Sequence, residues 1–225
     1  MDPASDHYLL LIDLKESTRL APKAAERLFG RLEARLAELN RRLDPPPVLG
    51  LTISYGDEVA GLFDTPIHLY GVVEQIRDCL HPEVGIRFVA VRGPIGRLSD
   101  DIRQVGGEVF KRADLAIRAI KKGRRFCRWL IGSPVVNSAL DSLSEMSNAV
   151  LESMTVYQRE VHSLLSGGLS QTEAAARLGK YPQSVSDAVR RGRADLVLEA
   201  REAINGLLAG SLSMGNDGFS RDNEK

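Results

Sequence analysis

Dense apolar runs and helix-spaced leucines alternate along the first 130 residues. His7 to Leu14 is a dense apolar run ending in Asp13-Leu14, a pattern that predicts a buried central strand. Ser17 or Thr18 can cap the next segment. Leu20, Ala24, Leu28, Leu32, Leu36, Leu39 and Leu43 then recur at helical spacing up to the stop at Pro45-Pro46-Pro47. Val48 to Ser54 and Glu58 to Phe63 predict two strands joined by a hairpin tip at Tyr55-Gly56-Asp57. Ile67 to Leu80 fits a helix and Gly85 to Val91 a strand. After a polar loop, Gly107 to Lys121 carries Val109, Ala113, Ala116, Ile117 and Ile120 at helical spacing, and Phe126 to Ile131 predicts a last edge strand.

That order, β-α-β-β-α-β-α-β, has a split βαβ unit at its centre. The expected fold is therefore α+β: a ferredoxin-like N-terminal domain over residues 1–132, with an antiparallel sheet and helices on one face. Residues 133–154, with Leu140, Leu143, Met146 and Val150, read as a helical connector able to carry dimer contacts.

Residues 155–208 have a different texture. Thr155 precedes an amphipathic stretch with Val156, Val161, Leu164 and Leu165 inward. Ser170 and Glu173 form an S-x-x-E capping box, so a helix starts at Gln171. Ala174, Ala175 and Leu178 share one face, Gly179 suits a left-handed stop, and Pro182 suits the first turn of another helix. Val185, Ala188 and Val189 make that helix's inner stripe, which leaves Gln183, Ser184, Ser186, Asp187 and Arg190 outward. Three short helices with a tight turn between the last two form the layout of an all-α helix-turn-helix, whose second helix enters the DNA major groove. Gln183, Ser184, Ser186 and Arg190 are the candidates for base edges; Lys180, Arg191 and Arg193 are the candidates for phosphates. An ordinary helical hairpin and a protein-interaction module are the alternatives.

Composition narrows the class. With 30 basic and 30 acidic residues, the 225-residue chain has zero formal charge, which disfavours a non-specific nucleic-acid coat but leaves room for a local basic patch. No apolar run approaches the ~20 residues that span a bilayer, and the N-terminus lacks a signal-peptide pattern, so a cytoplasmic protein without membrane partners is expected. Two widely spaced cysteines read as reduced thiols. The Gly/Ser/Asn/Asp-rich segment over 209–225 reads as a disordered tail.

Asp13 ends the first strand, and the expected topology puts Asp57 in the hairpin beside it. Two neighbouring carboxylates repel unless a proton or cation intervenes, and Mg²⁺ with nucleotide phosphates is one resolution. Plain turn chemistry is the other. Strand alternation sends Glu58 to the opposite face, as a solvated turn residue.

The blocks LLLIDLKEST (9–18), YGDEVAGLF (55–63), IRFVAVRGPIG (86–96), GGEVFKRADLAIRAIKK (106–122) and YQREVHSLLSGGLSQTEAAARLGKYPQSVSDAVRRG (157–192) together resemble the SatD family of bacterial proteins. The first two also resemble class III nucleotide cyclases and, more distantly, GGDEF-type palm domains. The cyclase resemblance implies metal binding at Asp13 and Asp57 and a nucleotide or second-messenger ligand. Ile53 and Ser54 stand where cyclases carry a purine-selecting lysine. Phe110 and Asp114 stand in place of a late Asn and Arg, leaving Lys111 or Arg112 as substitute phosphate ligands. Losing the charge-stabilising donors removes most of the acceleration of phosphoryl transfer. The sequence thus reads first as a homodimeric, double-stranded-DNA-binding regulator with a sensing or dimerising front domain. The alternative is a Mg²⁺-dependent nucleotidyl cyclase or oligonucleotide synthetase with an accessory helix-turn-helix.

Overall fold

A computed structural model of the chain describes residues 6–54, 56–96 and 99–213. Tyr55 of the expected hairpin tip and residues 214–225 of the expected tail lie outside the described residues. The fold is α+β. Among the described residues are five strands, β1 (Asp6–Lys15), β2 (Leu49–Ile53), β3 (Glu58–Phe63), β4 (Gly85–Pro94) and β5 (Cys127–Leu130). The helices are α1 (Pro22–Arg42), α2 (Leu69–Leu80), α3 (Glu108–Gly123), α4 (Pro134–Ser153), α5 (Val156–Ser166), α6 (Gln171–Leu178), α7 (Pro182–Gly192) and α8 (Ala194–Ser213). Two compact units result: one runs to Asp141 and resumes at Asn205, the other covers Ser142–Ile204. Both divisions fall inside helices, α4 and α8, rather than at the expected boundaries of 132, 154 and 208.

In the first unit the strands lie in the order β2-β3-β1-β4-β5. β1 is central and antiparallel to both β3 and β4, because each α-helical crossover returns the chain in the direction it left. Two expectations need correction. β5 pairs parallel to β4, since α3 lies between them in the chain as a crossover, so the sheet is not wholly antiparallel. Nor do helices cover only one face. Leu9 and Leu11 of β1 and Val89 and Val91 of β4 pack with Val109, Ala113, Ile117 and Ile120 of α3. Tyr8, Leu10, Ile12 and Leu14, of opposite parity, are equally buried on the side of α1 and α2, which pack against each other, α1 also meeting β2 and α2 meeting β4. Both parities of a strand cannot be buried under one helical layer. Leu10 and Ile12 are fully buried, each stabilising the fold by about 1.5–3 kcal/mol.

Side chains close both edges of this sheet. On β2, Asn40 of α1 accepts from the Leu51 N–H at 2.8 Å and donates to the Leu51 carbonyl at 2.9 Å, imitating a neighbouring strand. On β5, Asp141 of α4 accepts from Trp129 N–H at 2.8 Å, and Asn137 accepts from Ile131 and Gly132 N–H, each at 3.0 Å. Burial raises the Asp141 carboxyl above the ordinary aspartate range, against the opposing pull of the Trp129 N–H and of Arg128 and Arg125. The entry to α3 turns on Gly107 at φ +133°, where a Cβ would stand 2.4 Å from the Gly96 nitrogen.

The second unit is all helix. Val161, Ala174, Ala175, Val185, Ala188, Val189 and Ala194 form its core, with Leu164, Leu165 and Leu178 packed around them. Val156 departs from the expected inward stripe, being 79 % exposed in the first turn of α5. Residues 194–213, for which no helix was expected, form α8, which takes in the first residues of the expected tail.

Candidate functional sites

The turn between α6 and α7 is built by local chemistry alone. Ser170 Oγ accepts from Glu173 N–H at 3.3 Å, while the Glu173 carboxylate accepts from Ser170 N–H at 2.8 Å, completing the capping box. The Ser170 hydroxyl, also donating to Glu173 at 2.7 Å, holds that carboxyl below its ordinary range. Gly179 ends α6 at φ +61°, and Lys180 N–H reaches back to the Ala175 carbonyl at 2.9 Å, the six-to-one bond of a Schellman stop. Pro182 then opens α7 after an extended Tyr181. Alanine at 174, 175 and 188 gives little bulk between the two helices, and a Cβ on Gly192 would come within 3.2 Å of Gln158 on α5.

This packing sorts α7 into two faces. Val185, Ala188, Val189 and Gly192 are buried; Gln183, Ser184, Ser186, Arg190 and Arg191 are exposed, as are Lys180 before the helix and Arg193 after it. Tyr181 is 81 % exposed at the helix start. Arg190 pairs with Asp187 at 2.9 Å, so its guanidinium is held along the helix. Arg191 and Arg193 flank it, with Arg193 in the left-handed conformation at φ +52° that ends α7. All seven sequence-derived contact candidates are thus brought to one short segment and exposed. An α-helix with its side chains is about 10–12 Å across, close to the ~12 Å width of the B-DNA major groove.

The acidic pair comes out differently. Across the β1–β3 ladder Asp13 faces Glu58, not Asp57, and across the β1–β4 ladder it faces Arg87. Glu58 therefore shares the face of Asp13, which corrects the expectation of a solvated turn residue. Asp57 lies one step on, its carbonyl accepting from Leu14 N–H at 3.1 Å and its carboxylate from Ser17 Oγ at 2.6 Å. Asp13 is 4 % exposed and doubly paired, with Arg87 Nη1 at 3.2 Å from Oδ2 and Lys121 Nζ at 2.6 Å from Oδ1. Lys121 also reaches Glu58 Oε1 at 3.5 Å. Partial burial lowers the proton affinity of Lys121, but its hydrogen bond to Asp13 and the charges of Asp13 and Glu58 outweigh that and hold it above the ordinary lysine range.

Lys111 and Arg112 are not in this cluster. The N-terminal end of α3 lies over the far end of β4, where Arg112 donates to the Arg92 carbonyl at 2.9 Å. Arg92 sits five residues along β4 from Arg87, or about 17 Å at strand rise. Lys111 is exposed on the same first turns. The four residues expected to share a nucleotide are therefore divided between two ends of the sheet. Nor do the residues fit Mg²⁺ as they stand: a hard cation coordinates carboxylate oxygens at about 2.1 Å, and the Asp13 oxygen that would receive it already holds an ammonium. Among the described residues, no group of three or more His, Cys, Asp or Glu is placed to hold a metal ion.

Sequence reasoning missed Ser17, Arg87 and Lys121. Arg87 had a local signal, being a charged residue that interrupts the apolar run of β4; Lys121 had none, since its partner Asp13 lies far off in sequence on a strand. Among the described residues no helix is long and apolar enough to cross a membrane. Comparison with protein-family models and with curated proteins gives no match, so the resemblance to the SatD family rests on the residue blocks alone.

Proposed function

We propose that the chain is a cytoplasmic, homodimeric regulator that binds double-stranded DNA through α7. In this reading α5, α6 and α7 form a helix-turn-helix, and the sheet unit is a ferredoxin-like, palm-derived domain of the SatD type that senses a nucleotide or second messenger, holds the dimer, or both. The observation that carries it is the division of α7: Val185, Ala188 and Val189 are spent on the unit's own core, while past the exposed Pro182 the outward residues are polar or basic, with Asp187 paired to Arg190. Gln183, Ser184, Ser186, Arg190, Arg191 and Arg193 stand exposed within one short segment, a set of donors and acceptors that suits base edges and phosphates. Twofold dimers meet palindromic half-sites, which multiplies the few contacts one reading helix makes.

The β-α-β-β-α-β order and the β2-β3-β1-β4 arrangement support the ferredoxin-like part. The rival enzyme reading loses its motivation at Asp13, whose charge is already matched within the chain.

Selection of bound fragments from a genomic DNA pool at low salt tests the proposal. Gln183→Ala should relax preference at one position of the site, by about 1–3 kcal/mol of discrimination. Arg191→Ala or Arg193→Ala should weaken all sequences alike and flatten the salt dependence. No retention of any DNA at low salt, by a chain shown folded and dimeric by light scattering, would overturn it.

A further inference from the structure

The cluster at the end of β1 has a property independent of the DNA reading. Antiparallel register sets Asp13 directly opposite Glu58, with Cα atoms about 4.5–5.5 Å apart. Side by side on one face, their carboxylates repel, and each is costlier because Asp13 is buried. Such a pair calls for a positive centre between its oxygens. One is there: Lys121, from the last full turn of α3, puts Nζ at 2.6 Å from Asp13 Oδ1 and 3.5 Å from Glu58 Oε1. Arg87 neutralises the other Asp13 oxygen from behind, at 3.2 Å, and leaves Oδ1 and Glu58 to the lysine.

We propose that the ammonium of Lys121 is the resident cation of the Asp13–Glu58 pair, a tethered stand-in that closes the pair to divalent ions and whose removal opens it to one. An ammonium and a divalent ion cannot share Oδ1, because both would lie within about 3 Å of the same atom and repel. Lys121 is fixed at its α-carbon by the packing of Ile117 and Ile120, while its end is partly exposed. Its absence therefore leaves the backbone in place and two carboxylate oxygens without their cation.

The probe is Mn²⁺, followed by the loss of its free-ion paramagnetic resonance on titration with the full chain. The unaltered protein should leave Mn²⁺ free to millimolar concentrations. Lys121→Met, which keeps the apolar stem, and Lys121→Gln, which keeps a polar end, should each take up one ion with a Kd about tenfold or more below that of the unaltered chain. Adding Asp13→Asn to either should abolish the uptake, and Lys121→Arg should keep the pair closed. Uptake by the unaltered chain that Asp13→Asn removes would overturn the proposal. So would either neutral variant, folded by circular dichroism, that takes up no ion, and so would failure of both to fold, since a stand-in cation is dispensable to the backbone.

Discussion

The candidate residues of the two units stand in different surroundings. In the sheet unit the conspicuous polar groups are consumed internally: Asp13 by Lys121 and Arg87, Asp57 by Ser17, Asn40 by the Leu51 peptide, Asp141 by Trp129 N–H and Arg128. In the helical unit Gln183, Ser184, Ser186, Arg191 and Arg193 are left to solvent on one helix. Their cores differ as well, one filled by Leu, Ile, Phe and Trp on two faces of a sheet, the other by alanines around Val161 and Val185. Asp13 is matched within the fold, whereas the outward side chains of α7 meet water, so the proposed DNA contact is to be tested on the second unit.

Cutting into the sheet core should test the first half of that contrast with the largest effect. Leu10→Ala removes a fully buried side chain under two neighbouring strands and is expected to cost about 2–5 kcal/mol in denaturant unfolding. Next comes the closed edge. Asp141→Ala leaves the Trp129 N–H without its acceptor and should cost about 1–3 kcal/mol, whereas Asp141→Asn retains the acceptor and should cost clearly less. Equal losses for the two variants would mean that the carboxylate charge, not the hydrogen bond, matters there.

Smaller effects sharpen the second half. Gly179→Ala meets no atom within 4 Å, so its expected cost of about 1 kcal/mol in thermal unfolding is that of a left-handed backbone alone. The smallest effect is one of pH. Lys121 has its proton affinity raised on folding, so its contribution is whole below the ordinary lysine pKa and is lost as pH climbs through the higher folded value. The melting difference between the unaltered chain and Lys121→Met should therefore be constant near neutrality and shrink above about pH 10.5. A difference that stays constant through the alkaline range would count against an ion-paired Lys121.

What could be read from residues alone followed from how local each signal is. Ser170 with Glu173, Gly179 and Pro182 each act on their immediate neighbours, and α6 begins and ends, and α7 begins, where those residues predict. The strands were legible because their apolar runs are bounded by turns. By contrast α8 gave little warning: Gly206 and Gly210 each weaken a helix by about 1 kcal/mol relative to alanine, and Leu196 breaks any narrow apolar stripe. The second helical layer over the sheet was also hidden, since a strand buried on both sides reads the same whichever helices bury it. The surroundings of Asp13 depend on strand register and on a helix crossing, neither of which leaves a mark in the neighbouring sequence. Hence Asp57, adjacent in the motif, was favoured over Glu58, adjacent in space.

Asn40 at one border and Asp141 with Asn137 at the other have a consequence for growth. Another chain cannot lengthen the β-structure at Leu51 or at Trp129 to Gly132 without first evicting the groups that already occupy those peptides. Stacking of copies into ribbons is thereby discouraged at both borders. Growth by strand addition is thus opposed at those peptides, whereas the helical surfaces carry no such block.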